Sequence, residues 1–382
     1  MSARGVVPFT TPWVAPAEEL YVLEALRSGL TSGDGPFTRR ATRLVEALVG
    51  GGRALLTTSC THALEMTALL LDIKPGDEVI LPSFTFVSTA NAFVLRGATP
   101  VFVDIREDTF NLDERLLEAA ITPRTRAIVV VHYGGVACAM DEIGAIAQRH
   151  GITVVEDNAH GLGGAYRGRP LGSLAPLATQ SFHATKNVSC GEGGALVLND
   201  ESLVDRAEIL REKGTNRSQF YRGMVDKYRW MDVGSSYLPS DVLAAMLTAQ
   251  LESFNTIQER RGQIWDTYHK QLAGWAAANG VRLPVVPDEC DHPAHVYALL
   301  APTHDDRTRF IEALSRHGIV APFHYVPLHE SPVGEQVGRT AAGGCPVTTD
   351  VSSRLLRLPL FASLSDADLE YVIDAVVTLT AA

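Results

Sequence analysis

Between residues 54 and about 200, short β-branched apolar runs alternate with segments whose apolar residues recur every three or four positions. The runs at 54–58, 78–82, 100–105, 127–132, 152–157 and 194–199 predict strands, and a shorter one, Thr179-Gln180-Ser181-Phe182-His183, predicts another. Helical spacing fills 62–71, 113–120 and 141–150. Such alternation implies an α/β fold, a mainly parallel central sheet flanked by helices. A long helical tract follows at 240–272, and then a mixed unit: a strand at 295–300, a helix at 305–317, a strand-like run at 319–325 and a final helix at 366–378. The change of pattern puts a boundary near residue 250. The expected domains are a large one, 1–250, with an N-terminal arm, and a smaller α+β one, 251–382.

Open α/β sheets bind ligands beyond the carboxyl ends of their strands, so the residues after each strand are the ones to inspect. Four of these ends are chemically rich. Thr57-Thr58-Ser59-Cys60-Thr61 precedes a helix, where Ser59 suits a cap and free N–H groups suit a phosphate. Pro82-Ser83-Phe84-Thr85-Phe86 puts aromatic rings at the sheet edge, for core packing or for a ligand. In Val154-Val155-Glu156-Asp157-Asn158-Ala159-His160 an apolar strand delivers a carboxylate to its tip, and a buried carboxylate needs a partner.

The fourth end carries Lys186, set before the glycine-rich turn Gly191-Glu192-Gly193-Gly194 in a stretch otherwise nearly free of positive charge. A lysine that loses hydration has a lowered pKa and a nucleophilic amine, which forms imines with carbonyl compounds. Taken alone, it also reads as a strand end pointing to solvent. An acid on one strand tip and such a lysine about thirty residues later are what pyridoxal phosphate chemistry requires. The carboxylate keeps the pyridine nitrogen protonated, so the ring acts as an electron sink, and the lysine holds the aldehyde.

Composition narrows the field. A net charge of −11 argues against nucleic acid as a partner, since that needs a basic face to displace counterions from phosphates. Five scattered cysteines with no C-x-x-C pair suggest neither a disulfide framework nor a zinc site. No apolar run is long enough for a membrane span and no export signal is visible, so a cytoplasmic protein is expected. Gly161-Leu162-Gly163-Gly164-Ala165-Tyr166 departs from a dinucleotide fingerprint at Tyr166 and follows the wrong strand. His324 and His329 have no suitably spaced partner to complete a metal site, so no metal is expected.

At these motifs the chain resembles the sugar-nucleotide aminotransferases of the DegT/DnrJ/EryC1/StrS family, fold-type I pyridoxal phosphate enzymes. The resemblance is carried by Thr31-Ser32-Gly33-Asp34-Gly35-Pro36-Phe37-Thr38-Arg39, by Pro82 to Asn91, by Val131-His132-Tyr133-Gly134-Gly135, and by Ser181-Phe182-His183-Ala184-Thr185-Lys186-Asn187 with Gly191 to Gly194. More narrowly, Glu212 to Phe220, Val225-Asp226-Lys227-Tyr228 and Gly234-Ser235-Ser236-Tyr237-Leu238 are similar to the branch that forms dTDP-4-amino-4,6-dideoxygalactose. The resemblance makes Lys186 the Schiff-base lysine and Asp157 the partner of the pyridine nitrogen. Phe86 would stack on the ring, Ser59, Cys60, Thr61 and Ser181 would surround the phosphate, and His160 stands beside the ring hydroxyl, where many relatives have Gln. Leu238 stands where many have an Asn that reaches the phosphate of the neighbouring subunit.

The implied partners are L-glutamate as amino donor and a dTDP-4-keto-6-deoxy sugar, with a homodimer sharing active sites. A UDP-linked 4-keto sugar or a 3-keto sugar is the alternative substrate. A branch that removes a sugar hydroxyl has histidine at the lysine position, and Lys186 excludes it. Arg217, Lys227 and Arg229, within a locally basic stretch, and Tyr325 are the candidate substrate contacts. A non-enzymatic regulator would have lost Lys186 or Asp157 or gained a DNA-binding module, and the sequence shows neither.

Overall fold

In the computed structural model, which describes residues 5–381, the apolar runs of the first half lie side by side in one eight-stranded sheet. Its spatial order is Arg53–Thr57, Gly194–Leu198, Leu177–Ser181, Thr153–Asp157, Thr125–Val131, Glu78–Pro82, Thr99–Val103 and Arg339–Thr340. Gly194–Leu198 is antiparallel to both its neighbours, and every other pairing is parallel. Helices cover both faces, which is why these strands are continuously apolar. Alternate residues serve opposite cores. Leu55, Leu81, Val129 and Leu196 meet Leu64 and Met66 of helix Cys60–Leu70 on one face. On the other face, Ile80, Ile128 and Val130 meet Ile143 and Ala147 of helix Met140–His150.

Three expectations from sequence need correction. The run at 319–325 is not a strand: Ile319 makes a single bridge to Val7, and beyond it Pro322 and Pro327 deny the backbone donors a ladder needs. The tract at 240–272 is two helices, Asp241–Glu252 and Phe254–Ala278, broken at Ser253, where ψ leaves the helical range at 9°. The helix at 113–120 is a 3-10 turn, Glu114–Leu116, that runs into the single turn Leu117–Ala120. The remaining predicted elements form with ends shifted by one or two residues.

Several helices escaped the sequence reading, among them Glu18–Ser28 and Pro36–Leu48. The second begins with proline at its first position but has no local side-chain cap. Its cap is remote: the buried carboxylate of Asp241 accepts the Phe37 N–H at 3.2 Å, the Thr38 N–H at 2.7 Å and the Thr38 hydroxyl at 2.7 Å. Asp104, just past a sheet strand, does the same for helix Pro346–Arg354 through Val347 and Thr348. A separate core gathers Ile264, Tyr268, Phe310, Leu314, Leu356 and Ile373 around the strand pair Tyr297–Leu300 and Leu355–Leu358, and Val7 of the N-terminal arm belongs to it.

The consequence for chemistry lies in where strands stop. Thr57, Pro82, Asp157 and Ser181 are the last residues of their strands. The turns that follow them face one cavity. Asp241→Ala should lower stability by about 1–2 kcal/mol through loss of the remote cap, read as a lower urea midpoint. Asp241→Asn, which keeps one acceptor oxygen, should lose less; an unchanged midpoint for Asp241→Ala would show that the cap is idle.

Candidate active site

Successive side chains on a strand point to opposite faces, so adjacent carboxylates on Thr153–Asp157 meet different surroundings. Glu156, fully buried, accepts N–H bonds from Gly172 at 2.9 Å, Leu174 at 2.7 Å and Ala175 at 2.8 Å, and one from His132 Nε2 at 3.0 Å. It is fully occupied by structure. Asp157, also buried, accepts the Thr89 hydroxyl at 2.7 Å and the Ala159 N–H at 3.2 Å, and no cation among the described residues forms an ion pair with it. Burial raises its pKa, and those two bonds pull the other way. A buried carboxylate in this condition is suited to a charged N–H donor.

Lys186 stands in the turn after Leu177–Ser181. Bonds from Phe182 N–H to the Gly193 carbonyl at 2.8 Å and from Ala184 N–H to the Gly191 carbonyl at 2.9 Å hold that turn. The next residue, Asn187, is clamped by Gln258, the Pro293 carbonyl and His295. The lysine amine has no hydrogen-bond partner among the described residues. Burial is the main cause that lowers its pKa to about 8, with Arg357 acting in the same direction and Cys60 and Asp157 against it. Near neutral pH an appreciable share of the amine is therefore unprotonated.

The phosphate-suited turn forms as its residues suggest. Ser59 caps helix Cys60–Leu70 by accepting the His62 N–H at 3.1 Å, and the first turn carries no acid. The helix N-terminus is thus free to meet an anion. Thr61 bonds the Ser88 hydroxyl at 2.8 Å. Gly194 packs directly beneath: a Cβ there would lie 2.4 Å from the Cys60 nitrogen. Phe84 and Phe86 part company, since Phe84 is buried against Tyr133 while Phe86 is 57% exposed at the cavity.

His160 is buried, and burial followed by Lys186 lowers its pKa well below the ordinary value. Its neutral ring accepts the Gly134 N–H on Nδ1 at 3.3 Å, which leaves the hydrogen on Nε2, 3.3 Å from the Tyr325 hydroxyl. Tyr325 holds φ at +29°, a strained value for a side chain that must face the cavity. Burial pushes the Cys60 thiol pKa far up, so it is no nucleophile at neutral pH.

Ser59, Cys60, Thr61, Phe86, Asp157, His160, Ser181, Lys186 and Tyr325 all line one cavity of about 750 Å³. Arg217, Lys227 and Arg229 do not. Arg217 pairs with Glu212 at 3.2 Å and bonds the Tyr221 hydroxyl, while Lys227 and Arg229 are exposed on the same segment. Several residues in or behind the cavity went unread. Thr89 belongs to a motif quoted for its aromatics, and its role depends on Asp157 from another strand. His324, considered only as a metal ligand, shares a hydrogen bond of 2.8 Å between its Nδ1 and the Tyr133 hydroxyl. His295 stacks on His160 with ring centroids 4.2 Å apart. Arg357 had a readable signal, a lone cation inside the apolar run Leu355-Leu356-Arg357-Leu358.

The family model described as the DegT/DnrJ/EryC1/StrS aminotransferase family matches residues 14–377. The chain belongs to that family. It is 37% identical over 377 residues to the spore coat polysaccharide biosynthesis protein SpsC of Bacillus subtilis, covering 97% of this chain and 96% of that one. Among solved structures, the aminotransferase TlmJ of Streptoalloteichus hindustanus superposes with a TM-score of 0.90 at 30% identity, covering 98% of each chain. A Streptococcus pneumoniae protein captured in a PMP form matches with a TM-score of 0.90 at 28% identity, again over 98% of each chain; its PLP form is also known.

The architecture is that of fold-type I, and the family's cofactor is pyridoxal 5′-phosphate. The residues present fit it. Among the described residues, Asp157 is a buried carboxylate with no ion-paired cation, the Ser59 turn is an anion seat with no acid in its first turn, and Lys186 is an amine with no hydrogen-bond partner. Among the described residues no helix of this aminotransferase is long and apolar enough to cross a membrane.

A pH test follows from Lys186, whose pKa falls from 10.5 to about 8 on folding. Above 10.5 the amine is neutral in both states and costs nothing; below 8 folding must bury a charge or expel its proton. In the cofactor-free protein, Lys186→Met should therefore raise the melting temperature most at pH 7, with the gain shrinking between pH 8 and 10.5. A gain independent of pH would refute the depressed pKa.

Proposed function

We propose that this aminotransferase acts on a nucleotide-linked 4-keto-6-deoxy sugar with L-glutamate as amino donor. The products are dTDP-4-amino-4,6-dideoxygalactose and 2-oxoglutarate. One observation carries the reading: a partly unprotonated lysine and an unpaired buried carboxylate open onto the same 750 Å³ cavity, beside a helix N-terminus free for a phosphate. The likeness to a polysaccharide biosynthesis protein supports a sugar substrate.

Bound there, pyridoxal phosphate supplies the carbonyl that accepts the amine and the ring that takes up electron density. Lys186, Asp157, Ser59, Cys60, Thr61 and Ser181 would hold it, with Phe86 against its face and His160 beside its hydroxyl. The protein's own contribution is proton traffic. Lys186 Nζ removes the proton from Cα of glutamate in the first half-reaction and delivers one to C4 of the sugar in the second. Tyr325 and the His160 Nε2–H, in hydrogen-bond contact, orient groups at the cavity wall. Two half-reactions at one lysine give ping-pong kinetics.

We place the protein in the cytoplasm as a homodimer, with residues 1–250 and 251–382 as its two domains. Exposed Phe220, Tyr221, Met224, Tyr228, Trp230 and Met231 crowd one segment, and such a patch supports burial against a second copy. Arg217, Lys227 and Arg229 share that segment, so in the dimer they are proposed to meet the sugar nucleotide in the partner's cavity. Leu238 packs against Gly33 and offers no donor to a phosphate.

The decisive assay supplies the loaded enzyme with glutamate and a panel of dTDP- and UDP-linked keto sugars, with NMR of the product. The expected outcome is a 4-amino sugar from the dTDP substrate, and Lys186→Ala should reduce turnover at least 10³-fold by removing the proton carrier. Arg217→Ala, Lys227→Ala and Arg229→Ala should each raise KM for the sugar nucleotide more than for glutamate. Amination of a UDP-linked or 3-keto sugar alone would replace the substrate named here.

A further inference from the structure

Arg357, which lies over the Phe9 ring of the N-terminal arm, and His295 both line the cavity that holds Lys186. Of the two, His295 has bonds that lead back to the lysine's own turn. Its Nδ1 lies 2.9 Å from Asn187 Oδ1. The Asn187 amide donates to the Pro293 carbonyl at 2.7 Å and to Gln258 Oε1 at 3.0 Å, so the oxygen left over is an acceptor and His295 Nδ1 carries the hydrogen. Burial, followed by the charge on Lys186, holds the His295 pKa well below its ordinary value, and the ring is neutral. The same ring stacks on His160, with centroids 4.2 Å and planes 30° apart. One imidazole therefore touches both the turn that carries Lys186 and the side chain assigned to the cofactor's ring hydroxyl.

The backbone around His295 is held by groups that would be unfavourable elsewhere. Ala294 has φ at +48°, a left-handed value for a residue with a Cβ. Arg261, buried on helix Phe254–Ala278, donates to the carbonyls of Ala294 at 3.2 Å and His295 at 2.7 Å, and among the described residues it forms no ion pair. Three residues earlier on that helix, Gln258 donates to the Pro293 carbonyl at 3.1 Å. A left-handed alanine and an enclosed guanidinium committed to two carbonyls persist only where the surroundings over-determine them. What they fix in common is the direction of one ring.

We propose that His295 is a positioning residue for the cofactor: through Asn187 it holds the Lys186 turn, and through the stack it holds the plane of His160. Lys186 and His160 meet the cofactor, and His295 acts through them. This rests on pyridoxal phosphate filling the cavity and not on which sugar is aminated.

The experiment needs no sugar. Calorimetric titration of the cofactor-free protein gives its affinity for pyridoxal phosphate, which bonds covalently to Lys186, and for pyridoxamine phosphate, which lacks the aldehyde and cannot. His295→Phe keeps a ring against His160 and removes the bond to Asn187. His295→Asn keeps a donor near the Nδ1 position and removes the ring. His295→Phe should lose roughly threefold to tenfold in affinity for pyridoxal phosphate, the worth of one buried bond, and less than about twofold for pyridoxamine phosphate. His295→Asn should weaken both forms by a similar factor, because the contact through His160 is common to them. Asn187→Ala severs the same bond from the other side and should repeat the selective loss; adding His295→Phe to it should weaken pyridoxal phosphate no further. This cycle also decides the matter if His295→Phe alone fails to fold. Equal weakening of both cofactor forms by His295→Phe and by Asn187→Ala would make the residue merely structural and overturn the proposal, as would affinities unchanged in every variant.

Discussion

Glu156, a carboxylate that solvent does not reach, ties together the parts on which the cavity depends. Its four bonds fasten residues 172–175, which lead into the strand before Lys186, to the strand that ends in Asp157, and they recruit His132 from the strand beyond. With every acceptor direction used, the charge is stabilised in place and the three strand ends are locked in register. One residue later the same backbone delivers Asp157 with room for one more donor. The division of labour between neighbouring acids follows from strand alternation alone.

Around that anchor the protein keeps several charged or polar groups incomplete. Among the described residues Lys186 has no hydrogen-bond partner and Asp157 no ion-paired cation, and Arg357 has an unused edge. Each is unfavourable in a dehydrated site, and the fold tolerates them because rigid neighbours prevent relaxation: the Asn187 clamp, the Thr89 hydroxyl and the Phe9 face. The positive φ of Tyr325 belongs with them. Preorganisation of this kind places groups before any ligand arrives, so binding need not order them.

The sheet was legible because its strands are buried on both faces and therefore read as unbroken apolar runs. The chemically rich strand ends were legible for the same reason: polar residues that interrupt such runs stand out, as Lys186, Asp157 and Ser59 do. What stayed hidden depends on contacts between distant segments. Helix Pro36–Leu48 takes its cap from a residue some two hundred positions away, and strand Arg339–Thr340 joins the sheet through a pairing with Val101 and Phe102. Thr89 gains its role only when Asp157 is beside it. The proline-interrupted stretch after Ile319 has strand-like composition but no partner for its backbone, a distinction that composition does not carry. Arg217, Lys227 and Arg229 stand out by charge alone, and charge does not say which cavity a loop faces.

Val7 lies in a core otherwise assembled from residues 264–379, and its backbone bonds those of Gly318 and Val320. The polypeptide thus closes on itself across more than three hundred positions. Emerging from a ribosome, the first segment waits for nearly the whole chain before it finds its place, so the Phe9 wall of the cavity is among the last features to form. Completion of the catalytic chamber and completion of the smaller core are, in folding terms, one event.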